Sequence, residues 1–461
     1  MDIFDNINPL DFRYYGRSKK IFDNLNPYFS EKAMIAYMCK VESSLTRVLA
    51  NRGVCSKAIA DEVEQACKKV TADEVYEEED RIKHNIRALA NKIREKVSKQ
   101  AKPFVHFTTT SHDIINTAES ARLKDATLNV VVPFTIELEK TLIDLAKREK
   151  DTLQIGRTHG QHAEPITFGF GIAEYVSRLG EAILEIKKAG ENLRGKIAGA
   201  VGAYNASSLF FKDPEEFEKE VLAEMGLKPG GHSTQIVEPE YELKLVHSIV
   251  SAFGILANLA DDMRHLQRSE IAEVGEEFEK DQVGSSTMPH KRNPINFENV
   301  KSMWKAMMPR ITTVYLDQIS EHQRDLSNSA SSRFVPEIIT AFVASVNRMN
   351  NVMGKLVVDN ENLKKNFDKN ADMIIAEPLY ILLAAYDHPD AHEHVRKLTL
   401  ESQKTGKPLT ELVFDDKSLK SYLDKFTDDQ LDVLKNPKKY TGVAAKKTEK
   451  ICRKWGIELE I

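Results

Sequence analysis

Long α-helices packed as a bundle, an all-α architecture, are expected of this chain on three grounds. Residues 54–102, 104–132, 134–155, 310–335 and 337–353 contain neither glycine nor proline, the two residues that most often interrupt helices. Apolar residues recur at spacings of three and four: Val246, Ile249, Phe253, Leu256, Ala260 and Met263 make one stripe, and Phe134, Leu138, Leu142 and Leu145 another. Period-two alternation rich in Val, Ile and Thr, the mark of half-buried strands, is scarce. One helix cannot bury its own stripe, so several in succession pack together at shallow angles. Nearly all of these positions are accordingly read as core rather than as ligand contacts.

At 461 residues the chain exceeds one ordinary core and is expected to divide. The Thr- and His-rich segment ending at Asp113 gives way to a new helical run, which sets the first boundary. Asp359-Asn360-Glu361-Asn362 and the charge-rich, Gly/Pro-punctuated stretch after Pro378 set the last. The expected domains are 1–113, 114–360 and 361–461, the middle one carrying a polar loop at 284–294.

Composition excludes several functions. A hydrophobic content of 41% with 29% charged residues is that of a folded globular protein. The net charge of −5 lacks the basic excess of a nucleic-acid surface. No segment approaches the ~18 consecutive apolar residues of a membrane helix, and the start Met-Asp-Ile-Phe-Asp has no secretory pattern. A cytoplasmic location is expected. Cys39, Cys55, Cys67 and Cys452 are scattered without zinc-type spacing, which suits reduced, incidental thiols. With neither a P-loop nor a dinucleotide-binding glycine pattern, no cofactor and no metal are expected.

The chemistry concentrates in Gly284-Ser285-Ser286-Thr287-Met288-Pro289-His290-Lys291-Arg292-Asn293-Pro294. Gly284 permits close backbone approach, Ser285 and Ser286 offer hydroxyls and consecutive N–H groups, and Lys291 supplies a compact positive charge. That inventory suits a carboxylate. In isolation the loop could equally be an ordinary turn and Lys291 a solvated surface lysine.

The loop resembles the GSSxMPxKxNP signature of the fumarase/aspartase superfamily, and all eight fixed positions agree. With His290, Arg292 and Ile295 through Asn299 it is most similar to the adenylosuccinate lyase family. Other blocks follow in that family's order: Asp11-Phe12-Arg13-Tyr14, Lys83-His84-Asn85, His106 with Thr110-Ser111-His112-Asp113, Gly156-Arg157-Thr158-His159-Gly160, Gly199-Ala200-Val201-Gly202, Thr234-Gln235, Arg324-Asp325 and Ser329 through Arg333. Order along the chain is harder to mimic than any one motif. Beyond Pro336 the resemblance thins.

The resemblance implies a β-elimination that releases fumarate, from adenylosuccinate and from succinylaminoimidazole carboxamide ribotide in purine biosynthesis. Removing a proton next to a carboxylate builds a second negative charge there, which cations and N–H dipoles must stabilise. The implied catalytic residues are Ser285 as base, His159 as acid, Lys291 at the developing charge, Glu298 orienting the acid, and His84. Ser286 is a rival base, since spacing does not decide which hydroxyl faces the carbon. The implied substrate-binding residues are Arg13, Tyr14, Lys83, Asn85, His106, Thr110, Ser111, Thr158, Gln235, Ser286, Met288, Asn293, Arg324, Ser329 and Arg333, arginine's planar fork suiting phosphate. His112 and Asn85 depart from the family's usual residues, and the role of His112 stays open.

These positions lie hundreds of residues apart, so the site is expected to assemble from distant segments. The resemblance implies a homotetramer built on the central bundle, with sites shared between subunits and nucleotide substrates as partners. Two alternatives remain: a sister lyase acting on argininosuccinate, aspartate or malate, and a relative that keeps the fold without catalysis.

Overall fold

The computed structural model describes residues 8–278, 287–288 and 290–461. The chain forms two compact units. The first comprises Met1–Ile136, Glu181–Leu256 and Ser302–Asn347; the second comprises Glu137–Gly180, Ala257–Lys301 and Arg348–Ile461. The helices that matter for the site are, in chain order, α1 (Glu31–Asn51), α2 (Ala72–Ile82), α3 (Asn85–Glu95), α4 (Ser111–Ala126), α5 (Val132–Arg148), α6 (Phe168–Glu191), α7 (Glu240–Leu266), α8 (Ile295–Met307) and α9 (Val335–Gly354).

Both apolar stripes are buried along their whole length, on α7 and α5. In the first unit Phe253 of α7 meets Phe342 of α9 edge to face, with ring centroids 5.6 Å apart. In the second unit Thr141 of α5 donates to Asn350 of α9 at 2.6 Å. There Arg178 of α6 donates to Asn258 of α7 at 2.8 Å, and Lys301 of α8 pairs with Asp261 of α7 at 2.6 Å. Packing is close enough that a Cβ on Gly180 would stand 2.3 Å from the Trp455 ring. The all-α bundle is therefore the architecture of the chain.

Over its most apolar window α7 is long and hydrophobic enough to cross a bilayer by length and mean composition alone. However, 61% of that window is already buried inside the protein, so its hydropathy is explained as that of a bundle core.

Local signals start the helices of the first unit. The Ser30 hydroxyl accepts the Ala33 N–H at 3.1 Å to open α1, and Thr71 with Glu74 forms a capping box for α2. The core beneath includes Val41, Leu45, Leu89 and Ile114, all without exposed surface. In the second unit the C-terminal helices close around Leu379, Leu383, Leu409, Val413 and Leu434. Among the described residues there are only short strands, in three two-stranded sheets. One sheet matters: β1 (Leu153–Thr158) and β2 (Gln161–Thr167) form an antiparallel hairpin, which the sequence did not predict.

Candidate active site

The Gly-Arg-Thr-His-Gly block is the turn of that hairpin, in the second unit. Pairing runs to Thr158 opposite Gln161, leaving His159 and Gly160 as the two-residue connection. Their φ values are +54° and +74°, the sign that a type I′ turn requires at both positions. Glycine adopts this freely, whereas a side chain there costs about 1–2 kcal/mol. Gly156 occupies a register shift, and a Cβ on it would lie 2.6 Å from the Glu164 carbonyl oxygen. Arg157 forks onto fully buried Glu273 at 2.5 and 3.1 Å. Glu273 also accepts from Gln154 at 2.8 Å and Asn366 at 2.9 Å. With every lone pair engaged, this buried charge anchors the hairpin. Thr158 and His159 are left exposed at its tip.

Ser285 and Ser286, with Gly284 and Pro289, lie outside the described residues. Of their neighbours, Lys291 donates its N–H to Met288 O at 3.0 Å, and Ile295 donates to Asn293 O at 2.9 Å. Lys291 and Glu298 are exposed. Glu298 sits in the first turn of α8, where a carboxylate is favoured by the helix dipole. Glu276 caps the same helix from upstream of the loop. Its carboxylate accepts the Asn296 and Phe297 N–H groups at 2.9 and 3.2 Å and the Asn296 amide at 2.7 Å. Its own N–H donates to Gln267, which donates in turn to Arg292 O at 3.3 Å. Burial raises the Glu276 pKa, against the pull of the Phe297 and Asn296 donors. The chain before the loop is thus tied to the chain after it.

In the first unit several matched blocks meet around Asp113. This fully buried carboxylate accepts the Thr110 N–H at 2.8 Å, pairs with buried Lys196, and accepts the Ala198 and Gly199 N–H groups at 3.1 and 3.2 Å. It therefore joins the start of α4 to the Gly199–Gly202 block. A Cβ on Gly202, whose φ is +78°, would stand 1.9 Å from Ser233 O, so only glycine lets these two backbones touch. Gln235 then donates its N–H to Gln323 O at 3.3 Å, beside Arg324. His106, at φ +61°, is held by Glu42 of α1: the carboxylate accepts its N–H at 2.8 Å and meets Nδ1 at 2.7 Å. Burial, the largest single influence, would depress the His106 pKa, but the Glu42 charge, its hydrogen bond and the Asp113 charge together outweigh it and the pKa is raised. Next to Ser111, His112 is pushed down to about 4, by burial first and then by Arg324 and Lys196.

The other candidates of this unit stand on separate elements. Arg13 and Tyr14 end a wide helical turn in which Tyr15 N–H bonds Leu10 O at 3.1 Å, a geometry frequent at functional sites. Lys83, at φ +58°, links α2 to α3. His84 caps α3, its Nδ1 accepting the Arg87 N–H at 3.2 Å, which leaves the proton of the neutral ring on Nε2. The Asn85 side chain accepts the Ile86 N–H at 2.7 Å. Ser329 and Arg333 are exposed just beyond a turn organised by Asp325, which accepts the Ser327 and Glu321 N–H groups at 2.9 and 3.1 Å.

Comparison with known proteins supplies the family. The family described as lyase matches residues 12–308, and the one described as adenylosuccinate lyase C-terminal matches residues 320–441. An adenylosuccinate lyase of Archaeoglobus fulgidus is 32% identical over 451 residues, which cover 97% of this chain and 98% of the relative. The chain belongs to the adenylosuccinate lyase family. The Pyrococcus abyssi adenylosuccinate lyase is 33% identical over 451 residues, covering 96% of this chain and 97% of its own. A fumarate lyase from Mesorhizobium superposes with a TM-score of 0.81 at 20% identity, covering 94% of this chain and 97% of that one. A 3-carboxy-cis,cis-muconate lactonizing enzyme from Pseudomonas putida gives 0.83 at 20% identity over 98% and 100%. These two likenesses speak to fold alone. The match over 320–441 carries the adenylosuccinate lyase family past Pro336, where the short motifs thin out.

Sequence reading missed four buried charges: Glu42 behind His106, Lys196 behind Asp113, Glu273 behind Arg157, and Glu276 behind α8. No motif marked them. Buried charges need partners, but a sequence does not show which of its many Glu and Lys residues are buried.

Proposed function

We propose that this lyase cleaves adenylosuccinate to AMP and fumarate, and succinylaminoimidazole carboxamide ribotide to its carboxamide ribotide and fumarate. His159 protonates the leaving nitrogen, Ser285 accepts the carbon-bound proton, and Lys291 with Asn293 stabilises the dianion that develops on the succinyl carboxylate. Glu298 orients the acid and His84 assists. Ser286 remains the competing base. One observation carries the reading: the matched histidine is held at positive φ on a hairpin anchored by a buried arginine–glutamate fork, in a chain related to adenylosuccinate lyases over nearly its full length. Strain maintained by its surroundings in this way is a feature of functional positions.

The working form is a homotetramer in the cytoplasm, with residues of several subunits completing each site. The division into domains 1–113, 114–360 and 361–461 belongs to this proposal. Arg13, Tyr14, Arg324, Ser329 and Arg333 take the nucleotide; Thr110, Ser111, Thr158 and Gln235 also bind substrate. The test is incubation with adenylosuccinate, quantifying fumarate and AMP together. Equimolar products are expected from wild type, with Ser285→Ala and His159→Ala each reduced by about a hundredfold or more. A folded protein yielding neither product would reject the assignment.

A further inference from the structure

Buried polar atoms almost always find a partner, and one left without costs about 1–3 kcal/mol. Three such atoms sit at the start of α4: Thr108 Oγ1, Thr109 Oγ1 and His112 Nδ1 fall within five consecutive residues. A fourth, Arg324 Nε, belongs to a guanidinium whose positive charge acts on the His112 ring. The backbone is strained at the same place: Thr108 has φ +66° and His106 +61°. For a β-branched residue this is an outlier, and such outliers collect where a ligand is gripped.

The four groups share a chemical bias. Threonine hydroxyls can donate, an arginine Nε–H can only donate, and a neutral imidazole can carry its proton on Nδ1. His112 is neutral at physiological pH because it is largely buried and because the positive charges of Arg324 and Lys196 oppose its protonation. Lys196 is already matched by Asp113, whereas Arg324 keeps a buried donor unused. Donors in a positive field call for acceptor oxygens bearing negative charge.

We propose that Thr108, Thr109, His112 and Arg324 form an oxyanion subsite of the active site, in which His112 Nδ1–H donates to a carboxylate or phosphate oxygen of the substrate. The identity of that substrate rests on the lyase reading above; the existence of the subsite does not. His112 is then a binding residue, at a position where the family motif usually carries a small or acidic one.

Fumarate carries only carboxylates and inorganic phosphate only the other oxyanion, so the two probes separate the sources. Each is titrated calorimetrically into the full-length assembled protein as wild type, His112→Leu and His112→Asn, with fumarate release from adenylosuccinate assayed in parallel. Asparagine can place an N–H near the position of Nδ1. The expected result is a loss of about ten- to hundredfold in affinity for one anion in His112→Leu, largely restored in His112→Asn. In turnover, His112→Leu raises KM more than it lowers kcat. Should His112→Leu not fold, 15N spectra of the wild-type ring read the same bond, and the Nδ1 resonance must move when the anion is added. Equal binding by all three proteins, a static Nδ1 resonance, or a wild type that binds neither anion overturns the subsite. Anion binding that depends on His112 in a protein releasing no fumarate keeps the subsite and rejects the reaction.

Discussion

Each histidine the motifs single out is placed differently, and burial with partners decides what each can do. His159 is exposed at a strained turn, His84 spends Nδ1 on capping a helix, His106 is paired with a buried carboxylate, and His112 is kept from protonating by burial and by the charges of Arg324 and Lys196. The His106 pair makes a pH-dependent contribution to stability whose sign is fixed. Its folded pKa lies above the unfolded value of about 6.5. The stabilisation is therefore fully present below about pH 6.5 and is lost as pH rises through the folded value. Glu42→Gln keeps one acceptor but removes the charge, and is expected to cost about 1–3 kcal/mol at pH 6. That difference from wild type shrinks as pH rises toward 9. Denaturant unfolding of both proteins across this range is the check, and a difference independent of pH would reject the ion-pair account.

At the scale of elements, two devices hold the segments proposed to be catalytic: the Arg157–Glu273 fork under the hairpin and the Glu276 cap on α8. Glu276→Ala removes acceptors for two backbone N–H groups at the start of α8, at a cost of about 1–2 kcal/mol by analogy with lost helix caps. Because the same residue ties together the chain on both sides of the signature loop, its loss should depress kcat far more than so small a change in stability would suggest. Glu276→Gln, which keeps an acceptor, should recover part of the rate. Unfolding midpoints and kcat measured together decide it, and an Ala variant with unchanged kcat would show that the cap has no bearing on catalysis. The long helices were legible because a stripe such as Val246 to Met263 repeats locally, and periodicity is a local property. The hairpin was not, since Leu153–Thr158 and Gln161–Thr167 do not alternate and owe their pairing to a glycine bulge and a buried anchor. The partners of the site residues were least legible: Glu42 and His106 are 64 positions apart, Asp113 and Lys196 83, Arg157 and Glu273 116. Short motifs located the candidate residues, while the charges that orient them depend on burial, which only the fold reveals.

At the scale of the whole molecule, the surface of the first unit argues for association. Between Met308 and Phe334 it leaves Tyr315, Leu316, Ile319 and Leu326 exposed, with Ile319 at 73% and Leu326 at 71% of full accessibility. Single exposed apolar residues are ordinary, but several in one segment mark a surface that another chain covers. Arg324, Ser329 and Arg333 lie in this same segment, so covering it would also fix the residues proposed to bind the nucleotide. The expected consequence is that activity follows assembly rather than folding. Diluting the enzyme below its assembly constant should abolish fumarate release while leaving helical content unchanged. Leu326→Asp and Ile319→Asp should each shift sedimentation toward smaller species and lower activity in proportion. Because both side chains are exposed in the single chain, these substitutions should cost its own fold little, within about 0.5 kcal/mol. A monomer that sediments as such and turns over at the full rate would show instead that one chain completes the site by itself.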